Sequence, residues 1–124
     1  MFNQKLLSGA VVLLVVVLGL VWWGSRYFLP SAPGATHQVV LTENGFGPEV
    51  SNIHRGDTVI FRSMTGKHFW PASDLHPTHL LYPEFDPREP IRPQDTWQFR
   101  FDRPGRWTFH DHLSPYFTGT INVE

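Results

Sequence analysis

Seven histidines occur in 124 residues, and six of them follow position 50. Five fall into three groups: His68, then His76 and His79 in "HPTH", then His110 and His112 in "HDH". Imidazole is the commonest ligand for copper, zinc and nickel, and its neutral form buries no charge. Residues two apart on a β-strand share a face, so His110 and His112 can present ring nitrogens to one ion. "HPTH" can add one or two further donors. Asp111 is as well suited to ligate, or to orient a histidine, as to act as a base. The plainer reading is that each histidine is a hydrogen-bonded surface residue and that the i, i+2 pair faces water. Three groups in so short a stretch favour a shared site. His37 and His54 stand apart and read as ordinary surface or edge residues. No Ser-His-Asp order and no paired acids stand out, so a hydrolytic enzyme is not indicated.

The elements that must carry these residues are strands. "HQVVLTE" and "DTVIFRS" alternate, the latter with Val59 and Phe61 on one face. "DTWQFRFD" alternates more cleanly, with Trp97, Phe99 and Phe101 inward and Gln98 and Arg100 outward. "DRPG" is a turn signal. "RWTFHDH" continues the alternation, and "GTINVE" closes the chain as a last strand. Between Met64 and Gln94 lies a Pro- and His-rich stretch too long for an idle connection, and long loops on rigid β scaffolds usually carry function. Gly119 reads as a closing-turn glycine with positive φ.

Ahead of these strands the composition changes. Leu6 to Trp23 is an 18-residue run with no charge and one polar side chain, Ser8. That length just crosses a bilayer core, and Trp22 and Trp23 sit where an interfacial aromatic belt belongs. The candidate cleavage stretch "SAPGA" contains Pro33, so the run reads as a retained anchor rather than a cleaved signal peptide. The chain therefore divides into a short segment 1–5, a transmembrane anchor 6–28, a linker 29–36 and a domain 37–124. The expected location is the extracytoplasmic side of a membrane, with the helix as the membrane contact. From Thr36 onward, eight Lys/Arg stand against eleven Asp/Glu, a net charge of −3 that excludes a nucleic-acid footprint. Cysteine is absent, so packing alone must stabilise the domain.

"F-x-P…V…I-x-x-G-D-T-V-x-F" at residues 46 to 61, "HFW" at 68 to 70, and the "G-x-I-x-V" ending at Gly119 to Val123 together resemble the cupredoxin superfamily of the plastocyanin/azurin type. The resemblance spans nearly all of the domain. It implies an all-β, Greek-key β-sandwich, preceded here by the one N-terminal transmembrane helix. "HFWPA" is similar to the "HSFW" segment of the binuclear copper domain of cytochrome oxidase subunit II, which makes His68 the first copper ligand. The remaining blue-copper ligands are not present. Counting back from Gly119 puts Phe117 at the methionine, Ser114 at the histidine and Asp111 at the cysteine. Without thiolate there is no blue-copper electronic structure. "HDH" and "HPTH" also resemble the "His-Cys-His" and "His-Pro-x-His" elements of multicopper oxidases, whose flanking histidines point away from the cysteine into a site shared between domains. Either the strand bends so that Asp111 joins the two histidines, or they serve a different site, such as one between subunits.

The leading expectation is a copper-binding domain without cysteine, using His68, His79, His110 and His112, with His76 and Asp111 as further candidates. Cu(II) is the expected ion and Zn(II) the alternative. The expected role is copper handling or electron transfer, with a redox or copper-delivery protein as partner and a homo-oligomer as one arrangement. A metal-free β-sandwich interaction module, presenting its tryptophans and tyrosines to a partner, is the competing expectation. An oxidase with an intersubunit cluster ranks last.

Overall fold

The computed structural model describes residues 34–124, together with Leu14 alone of the preceding segment. The anchor expected over residues 6–28 and most of the linker lie outside the described residues. Among the described residues, no helix is long and apolar enough to cross a membrane.

The described strands are β1 (Thr36–Thr42), β2 (Gly45–Gly47), β3 (Val50–Ile53), β4 (Thr58–Ser63), β5 (Pro71–Ser73), β6 (Thr96–Arg100), β7 (Gly105–Asp111) and β8 (Ser114–Val123). They form two four-stranded sheets, ordered β2-β1-β4-β6 and β3-β8-β7-β5. This is the all-β sandwich that the alternating runs predict. β1 and β4 pair in parallel, as do β3 and β8, while β7 and β8 form an antiparallel hairpin.

Alternation fills the space between the sheets. Val59 and Phe61 of β4 are fully buried, as is Phe101 just past β6, with Trp97 and Phe99 packed partly buried against them. From β7 and β8 come Phe109 and Ile121. The rings pack at tilted and edge-on angles, Phe61 against Phe109 at 5.5 Å and Phe46 against Phe109 at 4.8 Å, arrangements favoured by the ring quadrupoles. Gly119 lies inside β8 opposite Phe109. Its φ is not in the left-handed region, so the closing-turn reading gives way to a steric one. A Cβ there would stand 2.4 Å from Phe109 Cζ, and only a bare backbone leaves room for the ring.

The long segment between β5 and β6 is anchored. Phe85 is fully buried and Tyr82 almost so; Phe85 stacks parallel to Trp97 at 5.8 Å and Tyr82 meets Phe99 edge-on at 5.2 Å. Backbone bonds fasten its start, from Ser73 N–H to Phe85 O at 2.9 Å and from Leu81 N–H to Asp74 O at 2.6 Å. Its far end is fastened by a two-way bridge between Phe69 and Ile91. A loop whose aromatics fill the core holds its polar residues as firmly as a strand does.

Candidate metal centre

The end of β7 and the anchored loop bring His76, His79, His110 and His112 together. Each offers one ring nitrogen, and the four nitrogens lie within 4.8 Å of one another. The register of β7 against β8 shifts between His110 and Asp111, and His112 follows with its amide donating to Trp70 O at 2.8 Å. His79 sits at φ 56°, a left-handed conformation that non-glycine residues adopt at some cost and mostly at functional sites.

Two carboxylates fix the tautomers. Asp86 Oδ2 lies 2.7 Å from His79 Nδ1, and Asp74 Oδ1 lies 2.7 Å from His110 Nδ1. An ionised carboxylate only accepts, so both Nδ1 atoms carry the proton and both Nε2 atoms turn a lone pair to the cluster. Asp86 also accepts Trp70 Nε1–H at 2.8 Å and Arg88 N–H at 2.7 Å on its other oxygen. Burial pushes this carboxyl up, but the bonds from His79, Trp70 and Arg88 outweigh it and hold Asp86 below the usual carboxylate range. Burial lowers the pKa of His112, and the neighbouring His79, His76 and His110 rings act in the same direction. Together they outweigh the opposing pull of Asp86 and favour the neutral imidazole, the ligating form.

The spacing suits one ion. His79 Nε2 and His112 Nδ1 are 2.9 Å apart, and His76 Nδ1 and His110 Nε2 are 3.2 Å apart. Nitrogens about 2.0–2.1 Å from a common metal sit about 2.8–3.4 Å apart along an edge of a square or tetrahedron. Both close pairs already match that edge. The widest separation, up to 4.8 Å, exceeds the diagonal of about 4.0–4.2 Å for a square at those bond lengths, so the donor set takes a four-coordinate divalent ion once its wider pairs close in.

His68 and Asp111 do not join this group. They line a separate cavity of about 290 Å³ with Ser114 and Phe117. These are the four positions that the cupredoxin resemblance assigns to the blue-copper ligands, gathered at one place but without thiolate or thioether. Asp111 Oδ1 is engaged by Trp70 N–H at 2.8 Å and Leu113 N–H at 3.3 Å, and His68 is exposed. These residues do not fit a blue-copper ion. Of the two arrangements left open for "HDH", the structure takes the second: the histidines serve a different site from Asp111, and all four ligand candidates come from one chain. His37, read as an edge residue, pairs with Asp57 at 2.8 Å, and His54 is exposed. Nothing along the sequence singles out Asp74 and Asp86, and Trp70 reads there only as part of "HFW" and of an aromatic surface. The only mark of Asp74 and Asp86 is position, flanking "HPTH".

No protein-family sequence profile matches the chain, and no characterised protein matches it by sequence. Solved structures do match. A purple cupredoxin from Nitrosopumilus maritimus superposes with a TM-score of 0.61 at 16% identity, over 71% of this chain and 99% of the other. A mutant amicyanin in its Cu(I) form gives 0.62 at 14% identity, over 72% and 82%. A copper-containing nitrite reductase from Thermus scotoductus gives 0.60 at 22% identity over 72% of this chain, which spans only 22% of that protein. The domain has the cupredoxin fold and lacks the blue-copper cysteine. Its four-histidine cluster draws on the end of β7, on His112 just past it and on the anchored loop.

Proposed function

We propose that this protein is a membrane-anchored, extracytoplasmic copper-binding domain that holds one ion through His76, His79, His110 and His112. One observation carries the reading: four imidazole nitrogens converge within 4.8 Å, two of them aimed by carboxylates. Copper is favoured over zinc because divalent copper binds imidazole sites more tightly, and because two short edges with wider separations suit a flattened geometry. A bound copper would supply one-electron Cu(II)/Cu(I) chemistry. The residues' own task is to keep the nitrogens neutral, oriented and partly shielded. All four donors being imidazoles, a role in holding and passing on copper is favoured over fast electron transfer. The uncharged Leu6–Trp23 run supports the anchor, and a copper-delivery protein is the partner this role requires.

The test is EPR of the full chain in detergent with one equivalent of Cu(II). The expected spectrum shows superhyperfine coupling to several equatorial nitrogens and changes when His79 or His110 is replaced by alanine. A spectrum like that of unbound copper, or one indifferent to both replacements, overturns the reading. Elemental analysis after purification from native membranes decides between copper and zinc. Protease accessibility in intact cells tests the side of the membrane.

A further inference from the structure

The four imidazoles are held unequally. His79 and His110 are 4% and 2% exposed, each locked at Nδ1 by a carboxylate. His112 is half-buried, its amide bonded to Trp70 O and its ring 4.5 Å from the Trp70 indole. His76 is exposed, and its one hydrogen bond among the described residues is the 3.2 Å contact of Nδ1 with His110 Nε2. The loop around it exposes Leu75 at 69% and Leu80 at 66%. A ring so placed loses few contacts on turning out to solvent, whereas His79 or His110 would leave a buried carboxylate pairing broken.

The cluster also contains no anionic donor. Asp74 and Asp86 act through Nδ1, and Asp111 faces the other cavity. Three or four neutral imidazoles leave the charge of a divalent ion uncancelled in a partly desolvated place, where its attraction for an anion is strong.

We infer that His79, His110 and His112 form the fixed part of the site and that His76 is a releasable fourth ligand, giving way to a small monoanion from solvent. The inference rests on the copper reading above. The exchange breaks one nitrogen–copper bond and forms one anion–copper bond; the released imidazole stays neutral and no electron is transferred. Anion binding is then opposed by His76 itself, so the apparent anion affinity is scaled down to the fraction of time His76 is released.

Azide is the probe, added to the full chain in detergent carrying one equivalent of Cu(II). Measured in parallel are copper per chain after desalting, the nitrogen couplings in EPR, and the azide-to-copper charge-transfer band. The His76→Ala protein is expected to keep one copper per chain, to lose one nitrogen coupling, and to bind azide with a midpoint about tenfold or more below the parent's. His110→Ala is expected to lose the copper; His79→Gln serves as a second comparator, with near-UV circular dichroism reporting the fold. Loss of copper from His76→Ala as complete as from the comparators overturns the inference, as do azide midpoints within about twofold of the parent's. A parent that binds no copper overturns the copper reading and this inference together; a parent that binds while His76 behaves like the other three overturns this inference alone.

Discussion

Asp86→Asn tests whether the outer carboxylates set the site. Oδ1 of Asp86 accepts two donors, Trp70 Nε1–H at 2.8 Å and Arg88 N–H at 2.7 Å, and Oδ2 faces His79 Nδ1 at 2.7 Å. An asparagine of the same shape must place its carbonyl where the two donors point. Its NH₂ group then faces His79 Nδ1, which has to accept rather than donate. The imidazole proton moves to Nε2, the nitrogen aimed at the cluster, and His79 no longer offers a lone pair there. Loss of such an outer partner typically lowers metal affinity about 10–100-fold, or about 1.4–2.7 kcal/mol. The fold should lose only about 1 kcal/mol, because size and two of three hydrogen bonds are kept. Copper affinity is to be measured by chelator competition near neutral pH, and the tautomer by ¹⁵N NMR of the metal-free protein. Affinity within twofold of the parent, or a His79 still protonated on Nδ1, would refute the reasoning.

Three further outcomes concern the scaffold. Phe85→Ala should cost about 3–5 kcal/mol, read as a fall in thermal midpoint of about 4–8 °C per kcal/mol for a domain of this size, and should weaken copper binding because Asp86 and the "HPTH" turn lose their anchor. Unchanged copper affinity in a folded Phe85→Ala protein would show that the loop is held by other means. Gly119→Ala should destabilise by about 1–3 kcal/mol through overpacking against Phe109, and a thermal midpoint within a degree of the parent's would contradict the 2.4 Å approach. Asp57 is lowered to about 2 by hydrogen bonds from the His54 amide and then from the His37 ring. A depressed carboxyl stabilises the fold fully above its unfolded value of about 3.9 and loses that contribution as pH falls toward about 2. Denaturant midpoints should therefore drop across that window in the parent and less in Asp57→Asn.

Much of the scaffold can be read along the chain. The period-2 runs of β4 and β6 announce their buried faces because pleating alone sends alternate side chains to opposite sides. The framing stretches 46–61 and 119–123 carry the resemblance to the fold, and the positions counted back from Gly119 do line one cavity with His68. The residues alone did not show that His68 stands apart from His110 and His112. At the end of β7, Asp111 lines the cavity with His68, while His110 and, just past the strand, His112 join the cluster.

By itself, the sequence determined the candidate donors, as clustered histidines, and most of the strands. The i, i+2 spacing of His110 and His112 marks them as a candidate pair, and without cysteine this sequence offers no thiolate to a copper ion. Only the tertiary structure decided which donors meet. His76 and His79 lie more than thirty residues from His110 and His112, and no local rule sets where a loop of that length turns. Tyr82 and Phe85 set it by entering the core between the sheets. With those rings buried, Asp74 and Asp86 come to stand behind His110 and His79, and four imidazole nitrogens lie within 4.8 Å of one another.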